Sequence, residues 1–287
     1  MSGARGDREG YSEGDDGTAL FWRFWRGRGD GGESLMIVHG LGEHSGRYEA
    51  FARFLGGEGF SVFAFDLRGH GRSRGPRGDV QAFHRFVEDV AAMEDVMVRV
   101  VESEVGVAVG PFVLGHSLGG LVVVRRLLEE DAPFAGAILS APWLATPRPS
   151  WLLALGRVLG AVVPGLTIPA RIGVKRLTRD PEVQREIRED PLVHSRLTAR
   201  LYREADRAQE EVRARSEELT LPLLVLAPGE DRVVDEDVTL AFARGIPGGK
   251  VRVEELPGRR HEPVNDVGRD EVYRLVGGWL RDHAHAG

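Results

Sequence analysis

Hydrophobic residues in this chain follow two rhythms. Short runs read as strands: SLMIVHG (34–40), FSVFAFD (60–66), PFVLGH (111–116), FAGAILSAP (134–142), PLLVLAPGED (222–231) and VRVEELPG (251–258). Most are continuously apolar, the mark of a strand covered on both faces. TALFWRFWR (18–26) alternates and reads as a further strand, with RGRGDGGE after it as a turn. Between the runs the spacing becomes helical. It does so from Arg47 to Gly56, along one face carrying Phe83, Phe86, Val87, Val90, Met93, Met97, Val100 and Val101, and from Gly268 to His283. Buried strands alternating with helices predict an α/β fold with a mostly parallel central sheet and helices on both faces.

The rhythm breaks once, between Pro142 and Leu221, where no strand-like run occurs. WLLALGRVLGAVVP (151–164) is an apolar helical segment, too short for a bilayer span of about 20 residues. RLTARLYREADRAQEEVRARSEEL (196–219) carries Glu211 and Arg215 at i,i+4 and reads as a solvated helix. Residues 1–142 and 220–287 are expected to form one core. Residues 143–219 are expected to form a helical insertion over the carboxyl ends of its strands.

Composition narrows the chemistry. The 287 residues, 42% hydrophobic and 29% charged, suit a globular domain, and the net charge of −6 argues against a nucleic-acid partner. The absence of cysteine excludes disulfides, thiolate metal sites and a cysteine nucleophile. The opening MSGARGDREGYSEGDDG has no apolar signal core. A cytoplasmic protein is expected, peripheral at the membrane if the insertion touches lipid.

Gly115-His116-Ser117-Leu118-Gly119 fits G-x-S-x-G between a strand and a helix. The sharp turn pushes Ser117 outward, and the flanking positions must be nearly free of side chains. A serine hydroxyl needs a base, and the base needs an orienting group. In this arrangement the order is serine, acid, histidine. His39, His44, His70 and His116 precede or adjoin the serine and fail that order. His84 lies in an early helix, His194 in the insertion and His283 and His285 in the tail, so His261, directly after the last strand, is the expected base. Among Glu230, Asp231, Asp235, Glu236 and Asp237, Asp231 comes first after the strand's turn and is preferred as the acid. Asp235 to Asp237 suit the start of a helix. The backbone N–H groups of Leu41 and Leu118 are the expected oxyanion donors. Arg68 and Arg72, in a glycine-rich loop, are expected to hold that loop by salt bridges. Trp143, Trp151, Leu152, Leu155, Leu159 and Val163 are expected to line an acyl channel.

Five motifs carry a resemblance over residues 10–282: VHGLGEHSGRY (38–48), FDLRGHGRSRGPRG (65–78), GHSLGG (115–120), PGEDRVVD (228–235) and HEPVND (261–266). On these the chain resembles the monoacylglycerol lipase and lysophospholipase branch of the α/β-hydrolase superfamily. DPLVHSRLTAR (190–200) is similar to the helical lid of that branch. The resemblance implies a serine ester hydrolase that acts on a small lipid ester without cofactor or metal and releases a fatty acid through an acyl-enzyme. Pro228 and Pro263 depart from its usual residues. A lysophospholipase, a general carboxylesterase, an aminopeptidase on the same fold and a non-catalytic ligand sensor stay open as alternatives.

Overall fold

The buried apolar runs form the middle of an eight-stranded sheet. The computed structural model describes residues 7–28, 32–147, 149–169 and 172–284, with the side chains of residues 150, 152, 168 and 169 also outside the description. The strands are β1 (Arg8–Glu13), β2 (Ala19–Trp25), β3 (Ser34–Val38), β4 (Ser61–Phe65), β5 (Phe112–His116), β6 (Gly136–Ser140), β9 (Leu223–Pro228) and β10 (Val251–Leu256). Their order is β1-β2-β4-β3-β5-β6-β9-β10. From β4 to β10 all pairs are parallel, while β1 and β2 join antiparallel at one edge. Strands β3, β4, β5, β6 and β9 are buried throughout, which is why their sequences do not alternate.

Helices cover both faces. On one, α1 (Glu49–Gly57) and α9 (Arg269–Ala284) pack Phe51, Leu55, Val276 and Trp279 against Leu35, Ile37, Leu114 and Leu224. On the other, α2 (His84–Val105), α3 (Leu118–Leu127) and α8 (Glu236–Gly245) share a cluster with Met36, Val38, Val113 and Val225. The parallel strands point the same way, so the loops after β3, β5, β9 and β10 meet at one edge of the sheet. That edge is where sites form in open α/β sheets.

Strand β1, REGYSE, escapes a reading based on apolar periodicity because most of it is exposed. Its partners are backbone groups of β2, and Ser12 accepts the Trp22 indole N–H at 3.1 Å. A polar edge strand of this kind discourages pairing with other chains. Arg68 and Arg72 do hold their loop. Arg68 donates to both oxygens of buried Asp89 at 2.6 Å and reaches Asp16 at 2.8 Å, and Arg72 lies 3.4 Å from Glu9.

The span 143–219 holds α4 (Ser150–Val162), β7 (Thr167–Pro169), α5 (Val174–Leu177), α6 (Pro181–Glu189), β8 (Arg196–Thr198) and α7 (Ala199–Ala214). Two expectations need correction. Strands β7 and β8 pair antiparallel, but at three residues each they are too short to show a period. Helix α7 is not solvated all round. Leu201, Ala205, Ala208 and Val212 join the cluster of α2 and α3, and alanines hid that stripe among the charges. The Glu211–Arg215 pair is present on its outer side at 3.2 Å.

Candidate active site

Ser117 stands at the turn between β5 and α3 with φ 51° and ψ −114°, in a region that residues with a side chain rarely enter. The turn closes because its glycines let backbone meet backbone. A Cβ on Gly115 would lie 2.5 Å from the Gly119 carbonyl oxygen. One on Gly119 would lie 2.1 Å from that of Val38. The Ser117 N–H donates to the Ser140 carbonyl at 3.0 Å, and its own carbonyl accepts the Trp143 N–H at 2.9 Å. These bonds from β6 and the segment after it hold the strained residue.

The loops after β9 and β10 bring two groups to this serine. His261 Nε2 lies 3.0 Å from Ser117 Oγ, and His261 Nδ1 lies 2.7 Å from Asp231 Oδ2. With the ring proton on Nδ1, the imidazole donates to Asp231 and accepts from the serine hydroxyl. Asp231 Oδ1 accepts the Val233 and Val234 N–H groups at 2.7 and 3.2 Å. Burial raises the Asp231 carboxyl. The His261 charge, its hydrogen bond and the two amides together outweigh burial, so the group titrates below the ordinary carboxylate range. Asp235 instead caps α8, accepting the Val238 N–H at 3.3 Å, with Glu236 and Asp237 in that helix's first turn.

Leu118 heads α3, where the first N–H groups lack helical partners, and Leu41 stands in the wall of the cavity beside Ser117. The cavity measures about 360 Å³. Gly40, Glu43, Arg47, His116 and Glu262 line it on the sheet side. Ile172, Val174, Leu177, Ile187 and Val193, with polar Arg188, His194 and Ser195, line it from the span between β6 and β9.

The sequence reading gave no role to Glu43, Arg47 or Glu262. Arg47 forks onto Glu262 at 2.9 and 2.6 Å and reaches Glu43 at 3.1 Å. Glu43 Oε1 accepts the Gly40 N–H at 2.6 Å and the Tyr48 hydroxyl at 3.0 Å. Burial raises the Glu43 carboxyl, and Arg47, with His116, His39 and the Gly40 amide, brings it down to about 2. The signal was present in GEHSGRY and HEP, three charged positions near apolar neighbours, but their mutual contact spans more than 200 residues.

The expected acyl-channel residues lie elsewhere. Trp143 is buried and donates its indole N–H to Thr146 at 2.9 Å. Trp151, Leu155 and Val163 are 67%, 45% and 47% exposed, Leu159 is half-buried, and the Leu152 side chain lies outside the described residues. None of these described side chains is among those lining the Ser117 cavity. The reason lies in the glycines of α4. A Cβ on Gly156 would lie 2.4 Å from the Tyr202 ring, and one on Gly160 2.5 Å from the Ala199 carbonyl oxygen. The glycine side therefore seats on α7 and turns the large apolar side out. Hydrophobic periodicity alone cannot tell an inward stripe from an outward one.

Histidines passed over for the base serve the loops around the site. His39 Nε2 accepts the Leu67 N–H at 2.9 Å, His116 Nδ1 meets the Ser140 carbonyl at 3.0 Å, and His194 Nε2 meets the Gly69 carbonyl at 3.2 Å. Burial pushes the imidazoles of His39, His70, His116 and His194 below their ordinary value. Below a pH of about 6.5 the unfolded chain therefore binds more protons than the native one. Stability is full above that pH and is lost on acidification. Each of the fully buried His39, His70 and His116, while it stays neutral, contributes up to about 1.4 kcal/mol per pH unit, and half-buried His194 less. The urea midpoint is expected to fall steeply between about pH 7 and pH 5. A flat midpoint across that window would contradict the burial of these rings in neutral form.

No helix among the described residues is long and apolar enough to cross a membrane, and no group of three or more His, Cys, Asp or Glu among them could hold a metal ion. The family model of serine aminopeptidase, S33, matches residues 32–268. The monoacylglycerol lipase of Mycolicibacterium smegmatis is 29% identical over 93% of this chain and 94% of its own length. The monoglyceride lipase of Homo sapiens is 36% identical over 77% of this chain and 72% of its own. The crystal structure of Paleococcus ferrophilus monoacylglycerol lipase superposes with a TM-score of 0.79 at 33% identity, covering 92% of this chain and 99% of that one. A match of this extent, with the elbow, the sheet order and the helical layers in place, settles the family: the chain belongs to the α/β-hydrolase superfamily, in the branch that holds the monoacylglycerol lipases.

Proposed function

We propose that this carboxylic-ester hydrolase cleaves the acyl ester of monoacylglycerol-type lipids with Ser117 as nucleophile, His261 as base and Asp231 as the orienting acid. The observation that carries the reading is the unbroken chain of contacts Ser117 Oγ–His261 Nε2–His261 Nδ1–Asp231 Oδ2, at 3.0 and 2.7 Å, beside the cavity. Ser117 attacks the ester carbonyl while His261 takes its proton. The Leu41 and Leu118 N–H groups stabilise the charge on the carbonyl oxygen. His261 then protonates the leaving alcohol. Water, activated by the same ring, releases the fatty acid from the acyl-enzyme, while Asp231 stabilises the imidazolium at each step.

The cavity supports the choice of substrate. Its insertion side, Ile172, Val174, Leu177, Ile187 and Val193, suits an acyl chain. Its sheet side carries two carboxylates around one guanidinium, which suits an uncharged polyol, while Arg188 also lines the cavity, so the lysophospholipid arm of the panel below decides against a phosphate. In this reading 143–219 is a cap over the core. The outward face of α4, with Trp151, Leu155, Val158 and Val162 exposed, meets the lipid surface that holds the substrate.

The test is a hydrolysis panel of monoacylglycerols, lysophospholipids, simple esters and aminoacyl amides, run on the parent and on Ile187→Asp. Each methylene buried against an apolar wall gains about 0.8 kcal/mol, so long-chain monoacylglycerols should lead the panel. Ile187→Asp is expected to reduce long-chain turnover at least tenfold more than acetyl-ester turnover. An equal fall for both substrates would remove the wall from the acyl site. A panel led by lysophospholipids or amides would overturn the head-group reading.

A further inference from the structure

Three consecutive amides around His261 are held by groups outside the main sheet. The Arg260 N–H donates to Asp266 Oδ2 at 2.9 Å, the His261 N–H to the Arg176 carbonyl at 3.4 Å, and the Glu262 N–H to the Leu177 carbonyl at 2.9 Å. Arg176 and Leu177 belong to α5, within the insertion. Asp266 ties the same two segments together through its other oxygen. Oδ1 accepts the Arg179 N–H at 2.6 Å, the Val267 N–H at 2.8 Å and the Thr178 hydroxyl at 3.1 Å. Thr178 Oγ1 also lies 3.0 Å from the Asn265 carbonyl. The Asp266 side chain is fully buried. Burial raises its carboxyl, and the Arg260, Arg179 and Val267 amides more than reverse this, holding it below the ordinary range.

We infer that Asp266 is a positioning residue for His261, fastening strap 176–179 of the insertion to the loop that carries the base. The inference rests on the reading of His261 as base. On this account the insertion does more than cover the cavity. It holds the His261 and Glu262 amides, and the strap cannot lift without freeing them. Misplacement of a reacting group by about 1 Å costs about 10²-fold in rate.

The experiment uses the full chain and an acetyl ester, which makes no demand on the acyl wall. Asp266→Asn keeps the shape but turns an amide N–H toward a donor that the carboxylate accepts. Its kcat is expected to fall about 10²-fold with KM within threefold. Its labelling by a fluorophosphonate should slow in parallel. Amide hydrogen exchange should quicken at 260–262 and 177–179 and stay unchanged in β5 and β6. Thr178→Val should lose about tenfold in kcat, and Thr178→Ser, which keeps the hydroxyl, should recover it. A parent-like kcat and unchanged exchange in Asp266→Asn, beside an inactive His261→Ala, would overturn the positioning role alone. An active His261→Ala would overturn the base reading, whatever the exchange at 260–262. If Asp266→Asn fails to fold, the Thr178 pair decides, and equal activity of its two variants overturns the inference.

Discussion

Ser117→Ala is expected to lose ester turnover by about 10⁴-fold or more, while a fluorophosphonate adds once to the parent protein, on Ser117. The size follows from what the side chain supplies. Without its oxygen no acyl-enzyme forms. The cavity then retains only what binding and charge stabilisation give to direct attack by water. The fold should survive, because Ser117 is held by its backbone bonds to Ser140 and Trp143 and its side chain fills little core. Mass spectrometry of the labelled protein and turnover of a chromogenic ester check both halves. A label on another residue, or substantial activity in Ser117→Ala, would remove the nucleophile assignment and the mechanism built on it.

Asp231→Asn is the second large effect, about 10⁴-fold in kcat, by analogy with the acid of other serine hydrolase triads. An amide at this position cannot accept both the Val233 and Val234 N–H groups on one oxygen and the His261 Nδ1–H on the other. The ring then settles in the tautomer that carries its proton on Nε2, facing Ser117, and can no longer take one. Asp235→Asn makes the contrast. Its side chain caps α8, and Asn caps nearly as well as Asp, so kcat should stay within twofold. If Asp235→Asn were the damaging change and Asp231→Asn mild, the acid would have to be reassigned.

The parallel strands were legible because burial on both faces leaves a run such as SLMIV with no polar break. The Ser117 elbow was legible because its geometry needs glycine on both sides within a few residues. Asp231 and His261 could be placed by chain order, since each follows a readable strand. The rest depends on contacts that no local pattern records. Glu43 and Glu262 meet through Arg47, and Asp266 joins the Arg179 amide to the Arg260 amide, about eighty residues apart in sequence. The outward turn of α4 was hidden for another reason. Its packed face is marked by Gly156 and Gly160, which a hydrophobic count passes over.

The pairing of β6 with β9 has a consequence for how the chain is made. Ala137 to Ser140 pair with Leu223 to Leu226, so residues 141–222 are synthesised between two neighbouring strands. At roughly 5–20 residues per second that interval lasts several seconds. Throughout it β6 is an open edge, apolar on both faces, with its outer row of N–H and C=O groups unmet. The nascent chain thus carries the Ser117 turn before Asp231 and His261 have left the ribosome, and the open edge of β6 lies directly beside it. Closure then requires a long loop, but loop entropy grows only about 0.6 kcal/mol per doubling of length. Delay in time, more than cost in free energy, is what the insertion imposes on folding, and the vulnerable species is the half-made chain.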